Sequence, residues 1–362
     1  MIFSRSNIIR NTSAPEWENE EWIVRNIPQQ AKLTVQIFDK DDEKPVDDYI
    51  GRFVIKDLID STPPPKGYKI LGAFGQNNGR FHLSIQSQPS TEHTRQLPRY
   101  TFDGPCRYFC HNSLVVGRLT MLNQNCVYST WKIEIKRISV FFPEYERQHW
   151  NKHYKAARMI FSGSPLSIAS QNTIKLAHKA LYERTLKHNE NGRLESADDL
   201  WKHIFTDKLT KRIRPCVYTY IIDDHTWRFS QTGRKFFTDF ASKHALLANC
   251  SKYVRYAGEF HPRPKYGWNR CDDEWELVFD NGSGTYAPSA DLLENLKQLL
   301  SFNFPDLNIV TYAYDDPRLK QSMEELKIIM EEYQHIMPTI DKLVSHFPLS
   351  FEPIDTEDST DL

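Results

Sequence analysis

An acidic run at residues 38–51, FDKDDEKPVDDYIG, is the first part of the chain whose residue types could do chemistry. It holds six carboxylates within the ten residues from Asp39 to Asp48, and only Lys40 and Lys44 oppose them. Calcium binds six to eight oxygen ligands, most of them carboxylates and carbonyls. The run is therefore a candidate metal site, and the alternative is a hydrated hairpin loop that holds no ion.

A second candidate site combines an acid, an imidazole and a hydroxyl in the carboxyl-terminal half. Glu259 and His261 lie in YAGEFHPRP, and Asp280 and Ser283 lie in VFDNGSGTYAPSADLLENL. Such groups are the parts of a hydrolytic site if the fold brings them together. The alternative is that they are buried polar residues which satisfy one another, and that DNGSG is a turn before a helix capped by Ser289.

Short strands are predicted to position the acidic run. Residues 31–39 (AKLTVQIFD) alternate, with Leu33, Val35 and Ile37 on one face. Residues 87–99 are polar, are interrupted by prolines and are predicted to be a linker. The linker between the two predicted domains is assigned to residues 89–99. Further strands are predicted at residues 6–11, 21–26, 52–56 and 80–86.

Three features in this region resemble a C2 domain. They are IIRNTSAPEWENEEW, the strand that ends in FDKD, and DDYIGRFVI, and GRFHLSIQS is similar to a closing C2 strand. The resemblance covers residues 1–88 and implies a partial C2-like β-sandwich whose first strands would lie before Met1. It also implies that Asp39, Asp41 and Asp48 are calcium ligands. Asp47 is the alternative to Asp48, because this loop is one residue longer than usual.

The resemblance carries a functional expectation. In C2 domains a bound calcium ion neutralises the acidic loop and bridges to phospholipid headgroups. We therefore expect a cytoplasmic, peripheral membrane protein that binds an anionic phospholipid surface and targets a second domain there. One alternative is a calcium-independent scaffold with a protein partner. Another is an enzyme of hydrolase type with its site around Glu259, His261 and Asp280.

Residues 100–348 are predicted to form an α/β or α+β domain with a mixed sheet, because strand-like and helical runs alternate. The segments YSTWKIEIK, YKAARMIF and the two that hold Glu259 and Asp280 resemble fungal C2-containing proteins of unassigned function. Residues 349–362 are acidic and are predicted to be disordered. Strands are predicted at residues 113–121, 127–142, 216–223, 253–261, 275–280 and 307–314. Helices are predicted at residues 144–161, 166–188, 196–205 (with Ser196 as N-cap), 235–249, 289–300 and 317–337.

The composition is that of a globular protein. The net charge of −1 gives no overall field that would attract nucleic acid, so no nucleic-acid partner is expected. The amino terminus shows no signal-peptide pattern, and no apolar run approaches the ~18 residues of a membrane span. The six cysteines are scattered along the chain, which favours reduced thiols over a disulfide framework.

Overall fold

The computed structural model describes residues 6, 8–9, 12–17, 20–40, 47–59, 61–113, 128–182, 190–207, 210–231, 242–270 and 274–345. Its described strands form a four-stranded antiparallel sheet, an eight-stranded mixed sheet and two ribbons of two strands each. Helices cover the large sheet. The chain is therefore rich in antiparallel β structure. Along the chain, the mixed sheet with its helices follows the four-stranded sheet. The acidic stretch 349–362 lies outside the described residues.

The four-stranded sheet holds the acidic run at one of its ends. Its strands lie in the order in which they follow one another along the chain. The predicted alternation of residues 31–39 is confirmed, because Leu33, Val35 and Ile37 are half-buried and the residues between them are exposed. The strands are β2 (Leu33–Asp39), β3 (Asp48–Ile55), β4 (Tyr68–Leu71) and β5 (Asn77–Phe81).

A small aromatic core covers one face of this sheet. The Phe53 ring stacks on Tyr68 with centroids 5.0 Å apart, and it also contacts Phe81 at 5.4 Å. Trp17 closes this core from before the first of the four strands, with its ring 5.5 Å from Phe81. Gly51 lets β3 approach β4 closely, because a Cβ there would lie 2.6 Å from the Leu71 carbonyl oxygen. Within the described part of this region, no second sheet faces the first.

The segment before the four-stranded sheet belongs structurally to the larger body. Strand β1 (Val24–Arg25) pairs with β6 (Thr101–Phe102) rather than with β2. The Tyr100 amide donates to the Asn26 carbonyl oxygen over 3.2 Å, so the chain leaves and rejoins the larger body at one place. The predicted linker is not wholly irregular, since helix α1 (Glu92–Gln96) forms there with Thr91 as its N-cap.

The eight-stranded sheet is antiparallel except at one edge, where β15 and β16 run parallel. Its order is β10-β7-β8-β12-β11-β14-β15-β16. A further short ribbon pairs β9 (Gln148–His149) with β13 (Tyr253–Val254). The strands of the large sheet are β7 (Cys106–Ser113), β8 (Tyr128–Glu134), β10 (Glu190–Leu194), β11 (Tyr218–Ile222), β12 (Thr226–Gln231), β14 (Tyr256–Pro264), β15 (Trp275–Asp280) and β16 (Ile309–Tyr312).

Helices lie on both faces of this sheet. The first face is aromatic, with side chains such as Trp227 and Phe260 fully buried against α2, α5 and α7. The opposite face packs against α3, α4 and α6. The helices are α2 (Ile138–Phe141), α3 (Lys155–Phe161), α4 (Pro165–Tyr182), α5 (Ala197–Leu200, continued by a π-helical turn Trp201–Phe205), α6 (Lys243–Leu247), α7 (Leu293–Asn303) and α8 (Pro317–Ser345).

Two predicted elements differ from the structure in kind, and others differ in their bounds, such as the predicted strand 80–86, which is observed at Asn77–Phe81. The predicted strand 113–121 lies outside the described residues except for Ser113, which ends β7. The predicted strand 127–142 ends at Glu134, and α2 follows it after Arg137, which has a left-handed φ of 59°. The predicted helix 144–161 is helical only from Lys155 onward apart from one 3₁₀ turn, and His149 lies in a strand. Both errors arise where a tertiary contact overrides a local pattern.

Candidate functional site

The hairpin of β2 and β3 brings two of the predicted calcium ligands together. Asp39 and Asp48 are cross-strand partners at its end, and both are exposed. Directly opposite residues have Cβ atoms about 5 Å apart, so the two carboxylates place like charges close together at the end of the hairpin. Asp47 precedes β3 and is half-buried, whereas Asp41 lies outside the described residues.

Two exposed aromatic residues are next to this pair of carboxylates along the strands. Phe38 and Tyr49 are also cross-strand partners, and their rings meet edge to face with centroids 5.5 Å apart. They remain 50% and 40% exposed. A β-bulge between Ile37 and Phe38 shifts the register just before them.

A second hairpin ends beside the first. Strand β4 is antiparallel to β3, so the turn after Leu71 lies at the end where β3 begins. The Asn78 side-chain amide donates to the Ile50 carbonyl oxygen over 2.6 Å and fixes the turn there. Phe74 lies in this turn and is 96% exposed. We call Phe38, Asp39, Asp48, Tyr49 and Phe74 the acidic–aromatic end.

The acidic–aromatic end has limited capacity for a metal by itself. Two carboxylates supply at most four oxygens, fewer than the six to eight that calcium binds. Among the described residues, no three His, Cys, Asp or Glu side chains come together as a metal ion requires. A complete calcium site here would need further ligands, of which the sequence predicts Asp41.

The second set of predicted site residues lies on the face of the large sheet opposite the aromatic face. Glu259 on β14 and Asp280 on β15 are close, because the Glu259 amide donates to Asp280 Oδ1 over 2.9 Å. The Gly282 amide donates to the same oxygen over 2.7 Å. Gly258 permits this approach, since a Cβ there would overlap the Asp280 carbonyl oxygen. The structure thus brings together the two acidic residues of the predicted site.

The protonation of this carboxyl pair is perturbed. Burial, and then the neighbouring Glu259, raise the pKa of Asp280 to about 7, against the two amide hydrogen bonds. Burial also raises the pKa of Glu259, opposed by Lys243 and by a hydrogen bond from Thr219. One carboxyl of the pair can therefore exchange a proton near neutral pH.

His261 and Ser283 do not join this pair through hydrogen bonds. His261 Nε2 lies 2.8 Å from the Ser322 hydroxyl on α8, while Ser283 Oγ accepts from the Tyr286 amide within its own turn. Burial, together with Arg263, lowers the pKa of His261 to about 3. This neutral imidazole is suited to a structural hydrogen bond, because accepting a proton would place a buried charge beside a guanidinium. Sequence spacing gave no signal for Ser322, which lies 61 residues away.

None of the described helices combines the length and the hydropathy needed to cross a bilayer. Comparisons with protein-family models, curated proteins and solved structures found no match.

Proposed function

We propose that this protein associates with anionic phospholipid membranes at its acidic–aromatic end, as a peripheral protein of the C2-like type. The observation that carries the proposal is Phe74, which is 96% exposed at the same end of the sheet as the edge-to-face pair Phe38–Tyr49. Large aromatic side chains left in water at one end of a sheet are typical of an interaction surface. Aromatic rings also prefer the membrane–water interface.

The carboxylates of the acidic–aromatic end make calcium part of this proposal. Asp39 and Asp48 would repel an anionic surface, so they need a cation between them and the lipid. Calcium supplies that charge and accepts phosphate and carboxylate oxygens together. In this proposal Asp39, Asp41 and Asp48 (or Asp47 in place of Asp48) hold the ion while the three rings enter the interface. Binding at the acidic–aromatic end brings the larger α/β body to the membrane.

Co-sedimentation with vesicles tests the proposal. We expect binding to phosphatidylcholine–phosphatidylserine vesicles with calcium, and little binding with chelator or with phosphatidylcholine alone. The Phe74→Ser variant should bind at least about tenfold more weakly, since burying a phenylalanine contributes about 1.5–3 kcal/mol. Tyr145→Ser is the matched control, because Tyr145 is 84% exposed but lies outside the acidic–aromatic end.

Two variants separate the contributions of lipid and calcium. The double variant Asp39→Asn and Asp48→Asn should lose the calcium stimulation while it keeps its fold, because both side chains are exposed. Equal pelleting of this variant and the wild type would refute the calcium dependence. Equal pelleting of the Phe74 and Tyr145 variants would refute the membrane surface and favour the protein-interaction alternative.

A further inference from the structure

A cavity of about 250 Å³ opens on the large body at the carboxyl end of β14. Its walls come from β14 and the turn after it, from β16, and from the first two turns of α8. Its lining includes Arg263, Lys265, Trp268, Tyr312, Arg318 and Glu325. Three of these side chains are cationic and one is acidic, so the lining carries a formal charge of +2.

Two guanidinium groups converge on one aromatic ring in this cavity. Arg318 Cζ lies 4.7 Å from the centroid of the Tyr312 ring, and Arg263 Cζ lies 5.8 Å from it. Arg263 also donates to the Tyr312 hydroxyl over 3.4 Å. Each guanidinium already forms an ion pair, Arg263 with Glu276 and Arg318 with Asp316, and a phosphate group would compete with Asp316 for Arg318.

The cations of the cavity differ in how firmly they are held. Arg263 is fixed by Glu276, whose carboxylate lies 2.6 Å away in a half-buried pair. Arg318 and Lys265 pair with Asp316 and Glu274 at the surface, and such exposed pairs contribute little to stability. The first guanidinium is therefore pre-organised, and the other two cations can turn toward a ligand at small cost.

We propose that this cavity binds the phosphate group of a small phosphate monoester. A monoester is close to a dianion at neutral pH, so its phosphate oxygens can accept from two guanidinium groups at once. Guanidinium groups bind its oxygens through charge-assisted hydrogen bonds, and Lys265 adds a third cation. Tyr312 and Trp268 offer ring surface to the organic part of the ligand. The cavity is smaller than the 300 Å³ or more typical of pockets for larger molecules.

The ligand could be a free metabolite or a lipid headgroup, since both carry the same phosphate chemistry. The inference does not depend on the acidic–aromatic end, because the two sites share no residue. Phenyl phosphate and inorganic phosphate are the free probes. Vesicles that contain phosphatidic acid, used with chelator, are the lipid probe. Binding in this last experiment that survives Phe74→Ser assigns the headgroup to the cavity.

Titration calorimetry at low salt tests the cavity with three variants of α8. Arg318→Gln should weaken binding of the probe at least tenfold, because it removes a charge that lines the cavity. Lys320→Gln is the matched control, since Lys320 is exposed two residues away and does not line the cavity. Glu325→Gln should bind the probe several-fold more tightly, because it removes the one acidic side chain of the lining.

The outcomes are decisive in both directions. Phenyl phosphate that binds more tightly than inorganic phosphate, with the expected order of variants, supports a free ligand. Binding to phosphatidic acid vesicles alone, lost in Arg318→Gln, supports a lipid headgroup. The proposal is overturned if no probe binds at millimolar concentration, or if the Arg318 and Lys320 variants weaken binding equally.

Discussion

Mild acid should destabilise the large body, because three buried histidines are neutral in the folded protein. His178 donates from Nδ1 to the Leu246 carbonyl oxygen over 2.8 Å, and Arg228 donates to its Nε2 over 3.4 Å. His244 Nε2 donates to the Gly258 carbonyl oxygen over 3.1 Å. Protonated rings would be buried charges, and in the case of His178 the ring would lose the nitrogen that accepts from the guanidinium.

Each of these rings also lies near a cation. Burial, and then Arg228, lower the pKa of His178 to about 4. Burial lowers the pKa of His244 to about 4, with Lys243 adding to the effect against the Gly258 hydrogen bond. Burial, and then Arg263, lower the pKa of His261 to about 3. Because all three are lowered, their stabilisation is complete above the unfolded pKa of 6.5 and is lost as pH falls below it.

The magnitude follows from these values. Between pH 6.5 and pH 5 each histidine costs about 1.4 kcal/mol per pH unit, or about 2 kcal/mol, and the three together about 6 kcal/mol. Asp280 acts in the opposite direction, because its raised pKa makes the folded state hold a proton as pH falls through about 7. Over the same 1.5 pH units it recovers about 2 kcal/mol, so the net loss of unfolding free energy is about 4 kcal/mol.

Urea unfolding followed by tryptophan fluorescence at pH 7.5, 6.5, 5.5 and 5.0 measures this loss. The variant His261→Gln keeps a hydrogen-bonding group beside Ser322 and removes one titrating ring. It should therefore lose about 2 kcal/mol less than the wild type over the same range. His153→Gln, at an exposed histidine, should keep the wild-type pH dependence. An unchanged dependence in His261→Gln, or a wild type that is equally stable at pH 7.5 and 5.0, would contradict the reasoning.

Three other substitutions probe single contacts by the same unfolding experiment. Gly258→Ala should lose about 3 kcal/mol, because its Cβ overlaps the Asp280 carbonyl oxygen inside the sheet; a loss below about 1 kcal/mol would show that the strands can separate freely. Ser196→Ala should lose about 1 kcal/mol by removing the capping box with Asp199, and an unchanged stability would mean that the cap is idle. Asp103→Asn should lose about 2 kcal/mol, since Asp103 accepts from Arg25 and Arg137 over 2.8 and 2.7 Å. Hydrogen exchange should then quicken at Val24 and Arg25, and protection equal to the wild type would contradict this role.

Elements with a strong local pattern could be predicted from the sequence. The strand 275–280 has the predicted bounds, because five of its six residues are buried and four of the six are apolar. Ser196 is confirmed as an N-cap, and the structure adds a capping box with Asp199 that was not predicted. Helix α8 begins at the predicted Pro317, which is a favourable first helical residue.

Elements decided by distant contacts could not be predicted. The apolar run after Glu134 has the composition of a strand, yet the left-handed Arg137 turns the chain and its guanidinium bonds to Asp103. His149 has neighbours typical of a helix, but it pairs with Tyr253 in a ribbon. In both cases the partner is far along the chain, and one sequence carries no record of the pairing.

In the candidate sites too, contacts that follow from a local pattern could be predicted, whereas contacts between distant segments could not. The proximity of Asp39 and Asp48 follows from a hairpin that alternation predicts. The contact between His261 and Ser322 could not be foreseen, because it depends on how α8 crosses the sheet. The exposed Phe74 also carried no sequence signal, since a single phenylalanine between glycines is equally compatible with a buried turn.

The pairing of β1 with β6 makes the four-stranded sheet an insertion rather than a leading domain. Its chain departs at Asn26 and returns at Tyr100, where the two backbones share a hydrogen bond. Glu20, which precedes the insertion, lies 2.8 Å from the fully buried Arg107 of the larger body. Excision of residues 27–99 with a short turn across the gap would therefore preserve that body. A fragment that starts at residue 100 would instead leave the buried guanidinium of Arg107 without the carboxylate of Glu20.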